Sequence, residues 1–248
     1  MTPNVKMPRL LTTENPKTIK GEKLGYLTYI LYMAPHKSNS KRINLCTHAS
    51  KGCIDSCLFS SGFGGMLPSV SEARIRKTDL FLSHRELFLH RIKREIENAI
   101  KHKSSKYVIT VRLNGTTDVS WENFKVFDGK NIFELFPNIQ FYDYTKNWTR
   151  FDKTLPNNYH LTFSRSENNH DKAMELLKRG FNVAIVFDKI PDTYEGYEVV
   201  NADENDLRFL DKKGVVCGLK YKKVTSKGGA EKNRKAFDSG FAIRISKK

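Results

Sequence analysis

The second half of the chain alternates between apolar runs and short helix-prone stretches, and this alternation limits the fold more than any other feature. The runs "YVITVRL" (107–113), "IQFYDYT" (139–145), "YHLTFS" (159–164), "FNVAIVF" (181–187) and "GVVCGLKY" (214–221) are rich in β-branched and aromatic residues and read as strands. Helical pieces are predicted between them at 121–127, 132–136, 171–179 (closed by Gly180) and 204–210. Strands that alternate with helices imply a mostly parallel sheet. The core of the fourth run, "VAIVF", has no polar face, so both sides of it must be covered. The expected fold is α/β, a closed or partial (β/α) barrel with mostly parallel strands in a single domain. An open doubly wound sheet is the alternative.

The first half supplies the start of that pattern. Residues 1–23 read as an extended or loop-rich arm, with the domain proper at 24–248. "GYLTYILYM" (25–33) is a first strand, and the glycines of "SSGFGGMLP" (60–68) mark a loop of unusual backbone. "SVSEARIRKTDLFLS" (69–83) is helical. A second helix is predicted from Ser83, with Glu86 closing a capping box. Phe88, Ile92, Ile96 and Ile100 form one apolar stripe along it. Lys101, His102 and Lys103 sit in its last turn, where the helix dipole favours cations. Residues 222–240 read as a basic, glycine-containing loop, followed by a strand-like "FAIRI" (241–245).

The loop after the first strand concentrates the chemistry. Cys46, Cys53 and Cys57 fall within "CTHASKGCIDSC", three of the four cysteines of the chain. No apolar run is long enough to span a membrane, and the N-terminus has no signal-peptide core, so the expected compartment is a reducing cytoplasm. There, clustered cysteines serve as metal ligands more often than as disulfides. If Cys53 opens a helical turn, Cys57 lies one turn further on the same face. Three soft thiolates suit a [4Fe-4S] cluster with one iron left open. Zinc is the alternative, with His48 or a distant residue as fourth ligand. Cys217, inside an apolar strand, reads as a buried thiol.

Residues that follow the strands should gather at one edge of a parallel sheet, the carboxyl edge, together with the cysteine loop. Asn114, Asp118, Asp143, Lys146 and Arg165 are the predicted pocket there. His84, His90 and His102 read as solvated, and His160 as a core histidine. There is no phosphate-binding P-loop, no dinucleotide fingerprint and no nucleophile elbow.

The chain carries 43 Lys and Arg against 27 Asp and Glu, a net charge of +16. That excess fits a nucleic-acid partner, with the basic segment 220–248 on the phosphates. Lysine outnumbers arginine and asparagine and isoleucine abound, which an AT-rich genome also produces, so the charge alone decides nothing.

The segments "NLCTHASKGCIDSCLFSSGFG", "VRLNGTTDVSWE", "FYDYTKN", "YHLTFSRSEN" and "VAIVF" occur in that order. As a set they resemble the bacteriophage "gene product 88-like" family over residues 24–220. The resemblance implies a phage origin and expression in the host cell cytoplasm, and it implies no reaction. A three-cysteine loop after the first strand is also similar in layout to radical SAM enzymes, which implies that Cys46, Cys53 and Cys57 ligate a [4Fe-4S] cluster. The radical SAM spacing is Cys-x3-Cys-x2-Cys, against x6 and x3 here. The glycine-rich strand that holds SAM is not evident, unless "RLNGTTD" substitutes for it. The expected function is a phage-encoded iron–sulfur protein with redox or radical-type chemistry. A zinc-stabilised protein that binds or modifies nucleic acid is the alternative, and an accessory protein that binds a host protein is a third.

Overall fold

The structure, a computed structural model, describes residues 9–57, 59, 67–224 and 228–245. Ten strands form one sheet in the order β1-β2-β3-β4-β5-β6-β9-β8-β7, with β10 added beside β6. The central strands β2 (Tyr26–Leu31), β3 (Val108–Arg112), β4 (Gln140–Thr145), β5 (Tyr159–Ser164), β6 (Val183–Phe187), β9 (Val216–Lys220) and β8 (Tyr197–Asn201) all pair in parallel. Only β1 (Leu11–Thr12) and β7 (Thr193–Tyr194), at the two ends, pair antiparallel. β5 and β6 share only the pairs Phe163–Val183 and Ser164–Ala184, and β10 (Ala242–Ile243) pairs with the last residues of β6. The expected α/β class and parallel sheet hold. Hydrogen bonds do not close the sheet.

Alternation along the strands gives the sheet two unlike faces. Leu27, Leu31, Ile109, Val111, Phe141, Leu161, Phe163, Val183 and Ile185 belong to the main apolar core. Helices α3 (Pro68–Ser83), α4 (Arg85–Lys103), α5 (Ile132–Leu135) and α6 (His170–Lys178) contribute Phe81, Phe88, Ile92, Ile96, Ile132, Phe133 and Leu176 to it. The apolar stripe of α4 is therefore buried as its spacing requires. The opposite face is polar. The hydroxyls of Thr28 and Thr110 are 2.8 Å apart, and Tyr142 Oη lies 3.1 Å from Thr28 Oγ1. The segment after β8 covers this face: Phe209 packs its ring on Tyr26 and Tyr142, and Asp206 binds the Arg112 guanidinium.

Several local expectations are corrected. Ser83 ends α3 rather than capping α4, because His84 takes the break with φ −141° and ψ 63°, and the Ser83–Glu86 capping box does not form. Part of the expected loop-rich arm is ordered structure, β1 and α1 (Pro16–Glu22), with Asn15 as a side-chain cap on α1. Lys17 ties α1 to Asp203 at 2.8 Å. The basic segment 222–240 contains a helix, α7 (Gly229–Asp238), in place of a continuous loop. Residues 60–66 of the glycine loop, and residues 225–227 and 246–248 of the basic segment, lie outside the described residues.

Candidate metal centre

The cysteine loop is fixed to the carboxyl edge of the sheet by a few specific bonds. Ser50 caps α2 (Lys51–Asp55), and its Oγ accepts from the Cys53 N–H at 3.2 Å. Glu167, from the loop after β5, then receives the start of that helix. Its carboxylate accepts from Ser50 Oγ and from the Gly52 N–H, both at 2.7 Å. Position 52 has to be glycine, because a Cβ there would lie 2.7 Å from Phe241 Cβ and 2.9 Å from both Glu167 oxygens. On the other side, the Asp118 N–H donates to Leu45 O at 3.0 Å, and Thr78 Oγ1 accepts from the Ala34 N–H at 2.8 Å.

Cys46 is half-buried. Its sulfur accepts from the His36 N–H at 3.4 Å and lies 3.9 Å from Thr116 O. Cys53 packs on the small cluster of Ala236, Phe241 and Ala242. Helix α2 stops at Asp55 and Ser56 caps it, so Cys57 lies beyond the helix, not one turn along it. Burial pushes the Cys46 thiol up to about 12, and the neighbouring Cys57, Asp118 and Cys53 add to the rise, while the His36 N–H opposes it. Burial likewise pushes Cys57 up to about 11, with Cys53 adding to it. The Phe59 backbone, Arg74 and Lys146 pull it down. The three thiols are thus close enough to repel one another when charged. None of the four cysteines is in a disulfide. Among the described residues, no group of three or more His, Cys, Asp or Glu side chains is arranged to hold a metal ion. His48 is exposed, and its Nδ1 lies 3.0 Å from Thr47 Oγ1.

The five predicted pocket residues divide into two groups. Asn114 is buried and its amide is fully used. Oδ1 accepts from Val119 N–H, Trp121 Nε1–H and Thr117 Oγ1, and Nδ2 donates to Val119 O at 2.9 Å. Asp143 accepts from the Asn114 N–H at 2.8 Å and from Tyr159 Oη at 3.0 Å. Burial pushes it up to about 6 despite the Arg112 guanidinium nearby. Asp118 accepts from the Lys146 N–H at 2.8 Å, and its other oxygen faces Arg150 at 3.7 Å. Arg150, only 1 % exposed, completes the network with two bonds to Glu122 (2.8 and 2.7 Å) and one to Tyr159 Oη (3.0 Å). These residues staple the loops after β3 and β4 together. Lys146 and Arg165 are different. The Lys146 side chain points to Ser164, with Nζ 2.6 Å from Oγ. Arg165 donates to the carbonyl oxygens of Gly240 and Phe241.

The remaining histidines and the fourth cysteine fall as follows. His84, His90 and His102 are exposed, as read. His160 has a buried Nε2 without a hydrogen-bond partner, and burial pushes it down to about 4 with help from the Arg208 charge. Cys217 is fully buried, with its sulfur 3.5 Å from Asp211 Oδ2. A separate open groove of ≈ 650 Å³ lies at the opposite edge of the sheet, lined by residues such as Gly25, Ile100, Tyr107, Pro137 and Ile139. Sequence reasoning passed over Arg74, Tyr32 and Arg112. Arg112 had a signal, a charge inside an otherwise apolar strand.

The fold and the edge together define a class: a mostly parallel α/β protein with three reduced thiols in the loop after its first parallel strand. The model of the Gene product 88 family matches residues 9–244, and the chain belongs to that family, the phage family its motifs resemble. No curated protein and no solved structure matches it. No helix among the described residues is long and apolar enough to cross a membrane.

Proposed function

We propose that this protein binds a [4Fe-4S] cluster through Cys46, Cys53 and Cys57 at the carboxyl edge of a partial barrel, and that the cluster serves redox or radical-type chemistry. The observation that carries the reading is the gathering of three interacting, reduced thiols on one loop that Glu167 locks to that edge. Thiols with raised pKa values are protonated at neutral pH, so binding would release protons and strengthen as pH rises. A cubane held by three cysteines leaves one iron for a further ligand. His48 would have to leave Thr47 to fill that position. Reduced thiols and phage-family membership favour a site of action in the host cytoplasm.

Reconstitution with iron and sulfide under anaerobic conditions tests the ligand set. Cys46→Ser, Cys53→Ser and Cys57→Ser should each lose the visible cluster absorption, and Cys217→Ser should keep it. Normal loading of any of the first three would remove that residue from the ligand set.

The surplus of cations supports a second reading, a zinc-stabilised protein that binds or modifies nucleic acid through its basic surface. Gel shifts at two salt concentrations test it. Binding that weakens steeply with salt is expected, and no binding at low salt would exclude it.

A further inference from the structure

Buried cations in this protein come in two kinds. Arg112, Arg150 and Arg208 each face a carboxylate: Asp206, Glu122 at 2.7 Å and Asp211 at 3.0 Å. Arg74 and Lys146, at the thiol edge, form no ion pair among the described residues. The residues outside the description contain no Asp or Glu that could serve instead. An unpaired, largely buried cation is costly, and a chain keeps one where something else supplies the negative charge.

The geometry gives the two cations a common focus. The Arg74 guanidinium lies 5.0 Å from the Tyr32 ring centre and 5.8 Å from that of Phe59, and its NH1 is buried without a hydrogen-bond partner. Lys146 Nζ sits on Ser164 Oγ and 5.9 Å from the Phe241 ring. Both side chains are close enough to Cys57 to act on its thiol. The thiols themselves do not balance them, because they are neutral at ordinary pH. Even three thiolates around a doubly charged cubane core carry a single net negative charge, against two cations.

We propose that Arg74 and Lys146 form the anion-binding half of a substrate site beside Cys57, which takes the carboxylate or phosphate group of a small organic molecule. Arg74 offers a planar fork suited to either group, and Lys146 a point charge. The Ser164 hydroxyl accepts from Lys146 and keeps its own proton to donate to the ligand. The role of the site rests on the cluster reading, but its affinity for anions does not.

Calorimetric titration with inorganic phosphate and, separately, with succinate tests the site. At least one anion should bind the wild type. Its Kd should rise tenfold or more in Arg74→Gln and in Lys146→Gln and stay unchanged in Lys103→Gln, at the exposed end of α4. The two titrations separate phosphate from carboxylate recognition. Arg74→Lys, which keeps the charge, should retain more affinity than Arg74→Gln and so separates lost charge from lost fold. Failure of both anions to bind the wild type, or wild-type affinity in both glutamine variants, would overturn the proposal. Iron content measured on the same samples keeps the two readings apart. Iron-loaded wild type that binds neither anion defeats only this inference. Iron-free protein whose anion binding is lost in both variants upholds it and defeats the cluster.

Discussion

Two polar regions share the carboxyl edge of the sheet and are built in opposite ways. In the network of Asn114, Asp118, Glu122, Asp143, Arg150 and Tyr159, nearly every donor meets an acceptor inside the chain. In the region of Cys46, Cys53, Cys57, Arg74 and Lys146, the thiols are reduced and the two cations lack carboxylate partners among the described residues. Lys146 belongs to both, with its N–H held by Asp118 and its ammonium turned to the thiol side. Buried polar groups that complete one another hold a fold together. Those left incomplete mark a place where a ligand completes them.

The largest effect expected from this contrast is in the completed network. Arg150→Met leaves Glu122 and Asp118 buried without their cation, and should cost about 3–5 kcal/mol in urea unfolding. A loss below about 1 kcal/mol would mean that the network is solvated and the contrast is false. Next comes the seam between the regions. Gly52→Ala drives a Cβ into Phe241 and Glu167, and should cost about 1–3 kcal/mol. Unchanged stability would show that the loop is not locked by Glu167.

A smaller, pH-dependent effect follows from Asp143. Its folded pKa, about 6, lies above that of an unfolded aspartate. The folded chain therefore binds the extra proton, and this stabilisation is complete below about pH 4 and lost as pH rises through about 6. Asp143→Asn removes the titration, so the stability gap between wild type and variant should shrink from pH 4 to pH 6. A constant gap would show that Asp143 is ionised throughout. The smallest effect is on the surface of α2. Lys51 pairs with Asp55 at 2.8 Å but is 83 % exposed, so Lys51→Ala should change stability by less than about 0.5 kcal/mol. A larger loss would give that helix an anchor besides Glu167.

The parallel strands were legible because each is a compact apolar run, and the register of side chains follows from period two alone. β5 falls on the residues read from sequence, and the other central strands lie within their predicted runs. The β7–β8 hairpin was not legible, since "TYEGYEVVN" is polar and lies at the end of the sheet. α1 was missed because its propensity is weak and its anchor, Asp203, is distant in sequence. At the edge, the cysteine loop and the residues after each strand were legible as neighbours, because strand direction alone places them there. Which of them are spent on one another was not. Asn114 and Asp143 look like pocket residues in the sequence, and only long-range bonds show that they are a staple. Arg74 was hidden for the converse reason: an arginine on a helix reads as solvated until its missing partner is seen.

The central claim is that the incomplete region holds an iron–sulfur cluster. Its most direct test is the iron and acid-labile sulfide content of protein purified without exposure to oxygen, with the visible spectrum taken alongside. A brown protein with about four iron and four sulfide per chain is expected. A colourless protein without iron or sulfide would contradict the claim, and one zinc per chain in their place would hand the site to the second reading.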